Sequence, residues 1–237
     1  MTVDTYIGQA RTRAQAEQDA IDEKRDAYEA FIRRVQKLQP DQTSSSVAGI
    51  TTAGGVTHLS ADASSADACR TVRTGFADAI AVALAPTTEA SFTAELKQMV
   101  LAEARSRRAE ATALQKALER EEAHLDGAAE AASDIIAWIV DANETPLTGL
   151  GFDALQQRHE MLTSHRDRCE EVARDRQEFL EGTTNNGVDA GVRHKSLMPY
   201  LYRDFPVDHP VLATVAKLDG TCQECQRTVR DHLVRRV

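Results

Sequence analysis

ARSRRAEATALQKALEREEAHLDGAAEAASDIIAWIV, residues 104–140, is the stretch on which the fold turns. Spacings of three and four lay one row along it: Ala104, Arg107, Ala111, Leu114, Leu118, Glu121, Leu125, Ala128, Ala132, Ile135 and Ile139. That is the period of an amphipathic helix. The pattern runs from Ser91 to about Ala142, with Gly127 its one weak point. A helix of this length either projects into solvent or packs as half of an antiparallel pair. NETPLTGLG, residues 143–151, supplies the turn. A partner helix follows from Phe152 to Leu180, with Phe152, Leu155, His159, Leu162, Arg166, Cys169, Ala173 and Leu180 on one face.

Upstream, Thr5 to Leu38 reads as one helix. One seam row is Ile7, Ala14, Ile21, Tyr28 and Val35; the other is Ala10, Glu17, Lys24, Phe31 and Leu38. Pro40 stops it. Residues 41–66 are rich in Ser, Thr, Gly and Ala without periodicity and read as a flexible linker. A further helix is expected from about Ser65 to Leu84; Pro86 interrupts it, and Thr88 caps the restart. GTTNNGVDAG, 182–191, is a second linker. SLMPYLYRDFPVDHPVL then suggests a short helical turn and an extended piece, before a last helix capped by Asp208 or His209 with Pro210 in its first turn. The expected organisation is an N-terminal coiled-coil helix (1–40), a linker (41–66), a helical bundle with a long antiparallel hairpin (67–181), a linker (182–191) and a C-terminal helical module (192–237). No strand is evident, so the fold class is all-α: a long antiparallel helical hairpin or coiled-coil bundle with flexible linkers.

Composition narrows the function classes. Of 237 residues, 42% are apolar but only 5% aromatic, and alanine supplies much of the apolar share, so the core is built from closely packed helices. The formal net charge is −9. Among the 28 basic residues six are lysine and 22 are arginine. An acidic surface with arginine over lysine fits a salt-adapted protein, because concentrated salt screens like-charge repulsion to within about 3 Å. Net acidity argues against a dedicated polyanion binder. The N-terminal segment lacks the pattern of a signal peptide, and the longest apolar run, IIAWIV at 135–140, is too short to cross a bilayer. A cytoplasmic location is expected, with Cys69, Cys169, Cys222 and Cys225 as reduced thiols.

Two segments carry a family resemblance: AIDEKRDAYEAFIRRVQKLQP followed by the Ser/Thr-rich linker, and PYLYRDFP followed by HPVLATVAKLDGTCQECQRTVRDHL. With the helical middle they resemble an uncharacterised family of helical proteins from halophilic archaea, a domain of unknown function. The resemblance implies a salt-adapted, cytoplasmic helical protein. It implies no activity, cofactor or catalytic residue.

The candidate chemistry centres on the Cys-x-x-Cys pair Cys222 and Cys225. On the last helix they share a stripe with Val211, Val215, Leu218, Val229 and His232, which makes them small buried hydrophobes in the simplest reading. A redox pair needs a helix N-terminus, which requires Gly220 to break the helix. A zinc site needs about four ligands, and His165 with Cys169 is the pair that could join Cys222 and Cys225. HEMLT at 159–163 lacks the second histidine of a zinc-protease helix, and TTAGG at 51–55 lacks the Gly-Lys-Ser/Thr of a phosphate loop. EREEAHLD at 119–126 reads as a solvated charged face. Tyr200, Tyr202 and Phe205 either plug a core gap or anchor a partner. Arg227, Arg230, Arg235 and Arg236 form a basic tail suited to the helix C-terminus or to nucleic acid. No catalytic residue and no cofactor is expected. The expectation is a non-enzymatic helical interaction or scaffold protein whose partner is itself or another protein through the helical seams, with no membrane contact. The polar seam positions Glu17, Lys24, Arg107, Glu121 and Arg166 would set register by pairing across helices. The alternatives are a DNA-associated or transcription-complex regulator using the basic tail and a thiol-redox or zinc protein at Cys222 and Cys225.

Overall fold

The structure is a computed structural model that describes residues 6–37, 94–185 and 194–235. Among the described residues there are five α-helices and no strand: α1 (Tyr6–Lys37), α2 (Ala94–Asn143), α3 (Phe152–Asn185), α4 (His194–Leu201) and α5 (Pro210–Val234). A single 3-10 turn, Leu147–Gly149, lies between α2 and α3. The all-α expectation holds. The linker at 41–66, the helix at 65–84, its interruption at Pro86, the cap at Thr88, and Leu38 and Cys69 all lie outside the described residues, as do 186–191 and Arg236.

Local chemistry accounts for the helix ends. Arg34 and Lys37 stand in the last turn of α1, where cations oppose the negative end of the helix dipole. Glu95 and Asp153 sit in the first turns of α2 and α3, where carboxylates suit its positive end. α5 begins with Pro210, which has no N–H to leave unsatisfied, after His209 at the N-cap. Ion pairs of the favourable Glu-before-Arg polarity, Glu29–Arg33, Glu103–Arg107 and Glu170–Arg174, support the exposed faces at four-residue spacing. α3 continues to Asn185, into the stretch expected as linker. It runs through Gly182 at a propensity cost of about 1 kcal/mol.

The chain divides into two compact units, one within Met1–Gln18 and Lys116–Val237, the other within Asp19–Gln115. In the second unit, Phe31, Ile32 and Val35 of α1 cluster with Val100, Leu101 and Ala104 of α2, with Ala27 and Tyr28 packed against them. The helices run antiparallel there. Gln36 carbonyl accepts from Lys97 Nζ at 2.9 Å, and eleven residues back along α1, Arg25 Nη1 donates to Gln115 Oε1 at 2.9 Å.

The first unit holds the larger core. Ile7, Ala10 and Ala14 of α1 are fully buried, and Arg11 pairs with Asp126 of α2 at 2.6 Å. α2 and α3 form the expected antiparallel hairpin: Trp138 stacks near His165 with ring centroids 4.8 Å apart, His124 near Phe179 at 4.4 Å, and Glu121 pairs with Arg176. The row expected on α2 is buried at Leu118, Glu121, Leu125, Ala128, Ala132 and Ile135, while Ile139 is only half-buried. On α3 the buried positions are Leu155, Leu162, Cys169, Val172 and Arg176; Phe152 is exposed and does not join that face. α5 lies antiparallel against α3 through Val211, Val215, Leu218, Cys222 and Val229.

Candidate functional site

The most polar part of the core is a cluster of three side chains that apolar spacing alone does not announce. Glu121 is 0% exposed, Arg176 1% and Tyr202 2%. Arg176 Nη1 donates to Glu121 Oε2 at 2.9 Å and Nη2 donates to Oε1 at 2.8 Å, a bidentate pair linking α2 to α3. Tyr202, one residue past α4, donates its hydroxyl to the same Oε1 at 2.6 Å. Met198 Sδ lies 3.3 Å from Arg176 Nη2, and the guanidinium stands 5.3 Å from the centre of the Phe179 ring. Burial and the Glu121 carboxylate push the Tyr202 phenol far above its ordinary value, so it stays a donor at any working pH. Buried charges without partners are costly, and here the planar guanidinium meets the carboxylate fork-to-fork with the phenol as a third donor.

His124 borders this cluster. Its imidazole pKa is lowered, chiefly by burial and then by the Arg176 cation, against the opposing pull of Glu121 and of Asp175. Its Nδ1 is buried without a hydrogen-bond partner. A second tyrosine reaches another buried glutamate: Tyr200 donates its hydroxyl to Glu17 Oε1 at 2.5 Å. Glu17 is buried on α1, while Tyr200 is 43% exposed. The two tyrosines of the PYLYRDF segment therefore do different work. Tyr202 fills the core, with Phe205 edge-on at 5.2 Å, and Tyr200 covers a glutamate from outside.

The polar seam positions behave unevenly. Glu17, Glu121 and Arg166 pair across helices; Arg166 Nε donates to Asp219 Oδ1 of α5 at 2.8 Å. Gln226 Nε2 extends this contact by donating to Thr163 Oγ1 at 2.6 Å. Arg107 instead pairs along its own helix with Glu103 and Glu110, and Lys24 is exposed. EREEAHLD is a solvated face only in part, because its Glu121 points into the core, where Arg176 of α3 provides the partner that a solvated face does not need.

The four candidate ligands divide between two interfaces. His165 faces Trp138 of α2. Cys169 and Cys222 are buried where α3 meets α5, and Cys225 is half-buried one turn on. Among the described residues, no group of three or more His, Cys, Asp or Glu side chains is placed to hold a metal ion. Burial, reinforced at Cys169 by Cys222 and at Cys222 by Cys225, pushes the Cys169 and Cys222 thiols up to about 11, and burial also raises Cys225. Such thiols are protonated at neutral pH, the opposite of an activated pair. α5 is continuous through Gly220, so Cys222 lies in mid-helix, away from any helix N-terminus.

The basic tail is interleaved with acid: Arg227, Arg230 and Arg235 are exposed, and so are Glu224 and Asp231. An open surface groove of about 500 Å³ is lined by Ser164, Asp167, Arg168, Glu170, Glu171 and Arg174, all on α3. Its charges pair with each other as Arg168–Glu171 and Arg174–Glu170, which marks a solvated face.

Fold and site together define an all-α helical protein with a buried Glu121–Arg176 pair joining two of its helices. Among the described residues no helix is long and apolar enough to cross a membrane. The chain belongs to a family described as a domain of unknown function (DUF7260), whose model matches residues 5–80 and 75–226. No curated protein and no solved structure matches the chain.

Proposed function

We propose that the chain is a non-enzymatic helical interaction protein that uses its helix faces to bind a second copy of itself or another protein. One observation carries this reading. In the unit that holds the Glu121–Arg176 pair, Val140, Phe152, Met161 and Val234 are large apolar side chains left 38–71% exposed. Exposed apolar side chains gain by being covered, and a protein partner would cover them. A cytoplasm of high salt fits the acidic, arginine-rich composition and the haloarchaeal resemblance, because salt weakens the repulsion of the net −9 charge.

The test is affinity purification of the tagged full chain from a native high-salt lysate, with sedimentation of the purified protein alongside. A reproducible partner in near-equal amount, or a stable dimer, supports the reading. Recovery of the chain alone, sedimenting as a monomer at every concentration, overturns it.

A further inference from the structure

We infer that residues 197–205, the end of α4 and the turn after it, form a strap that opens as a unit while the rest of its compact unit stays folded, with the Tyr202 hydroxyl as the latch. This goes beyond the proposed function and stands on the geometry of the strap, whether or not a partner binds.

The strap cannot hold its own shape. α4 has eight residues, fewer than an isolated helix needs, and Pro199 within it removes a backbone donor. Beyond α4, Tyr202 N–H returns to Met198 O at 2.9 Å and Phe205 N–H to Tyr202 O at 3.0 Å, so the segment is a compact turn. Contacts below it supply its stability. Leu197, Met198 and Leu201 are buried, the Tyr202 hydroxyl reaches Glu121, and the Tyr200 hydroxyl reaches Glu17.

What lies beneath is unusual for a surface helix. The Glu121–Arg176 pair is complete between α2 and α3 without any atom of the strap. Closing the strap dehydrates that pair, which opposes the apolar gain from Leu197, Met198 and Leu201. Opening returns water to both charges and breaks no bond between α2 and α3. Opening α5 is different, because it severs the Arg166–Asp219 and Gln226–Thr163 links and uncovers buried positions along 25 residues. Segments held by few contacts open below the global unfolding free energy. Open, the strap leaves the Arg176 guanidinium, the Glu121 carboxylate and the Phe179 ring facing water.

Hydrogen exchange of the intact chain read by mass spectrometry tests this. Amides of 200–205 exchange faster than those of 155–176 and 211–229, with little dependence on low denaturant. Tyr202→Phe removes a hydrogen bond to a charged acceptor and speeds exchange in the strap on the order of ten- to a hundredfold. It leaves 155–176 unchanged. Tyr200→Phe, which frees the other anchor, acts on the same segment. Exchange of 200–205 at the rate and denaturant dependence of α5 overturns the inference, as does an equal speeding of all segments in Tyr202→Phe.

Discussion

Replacing Arg176 by Met should be among the most damaging single substitutions in the chain. The side chain is 1% exposed and its carboxylate partner 0%. With Arg176 gone, Glu121 keeps only the Tyr202 hydroxyl and stands as a buried charge without a counter-ion. Breaking a buried pair from one side costs about 3–5 kcal/mol. With a urea slope of about 2 kcal/mol per molar, a 4 kcal/mol loss lowers the unfolding midpoint by about 2 M. Trp138, the single tryptophan, sits against His165 in the same compact unit, so its fluorescence reports the relevant transition.

The same reasoning predicts a rescue. Glu121→Leu with Arg176→Met and Tyr202→Phe removes the two charges and the hydroxyl that would be orphaned. Replacement of a whole buried pair by apolar residues is neutral or stabilising by about 1–4 kcal/mol. The triple variant should therefore recover most of the lost midpoint. Arg168→Ala, at a half-exposed surface pair, should change stability by no more than about 1 kcal/mol. A loss below about 1 kcal/mol in Arg176→Met would refute the claim that the cluster is sealed from water. A triple variant as unstable as the single would show that shape, and not uncompensated charge, sets the cost.

Three further outcomes are expected. Gly127→Ala places a Cβ on exposed α2 surface with nothing within 4 Å and should stabilise by about 1 kcal/mol, seen as a raised thermal midpoint; a lowered one contradicts an open site. His124 has a lowered pKa, so the unfolded chain takes up its proton first as pH falls through the ordinary histidine range; its contribution is intact above that range and is lost on acidification towards the folded pKa, and the fall in midpoint between pH 7.5 and 5 should be smaller in His124→Gln, with an equal fall excluding His124 as a source. Cys169 and Cys222, with thiols near 11, should resist alkylation at pH 8 in the folded chain and react on unfolding, read peptide by peptide by mass spectrometry; prompt labelling of either in the native state would show that it is not buried.

Helix period was legible from the residues because burial repeats along the chain. Ile7, Ala14, Ile21 and Val35 are all buried on α1, and so are Val211, Val215, Leu218, Cys222 and Val229 on α5. Arg176 was the buried charged position missed, yet its signal was present: Leu155, Leu162 and Cys169 are seven apart, and the next step of that row is Arg176. A charged residue on a buried row calls for a charged partner on the facing row, and Glu121 already stood on one. What no single row can state is which pair meets, because that depends on the offset set by the turn at 143–151. The helix end at Gly182 was misjudged for a related reason, while the last helix runs through Gly220 as its simplest reading expected. Local punctuation costs about 1 kcal/mol per glycine, less than the packing of the helix that carries it.

The strap shows the limit from the other side. Tyr200 and Tyr202 are two residues apart, a spacing that cannot place both rings on one helix face, so one of them had to leave the core. Sequence alone does not say which. The choice follows from two buried glutamates on different helices, Glu17 of α1 and Glu121 of α2, each offering an acceptor to one hydroxyl. A segment too short to be a stable helix thereby has its position dictated by charges that must be satisfied with or without it. Its attachment is therefore the part of this unit most open to change by a single hydroxyl, while the α2–α3 pair below it depends on the guanidinium and the carboxylate alone.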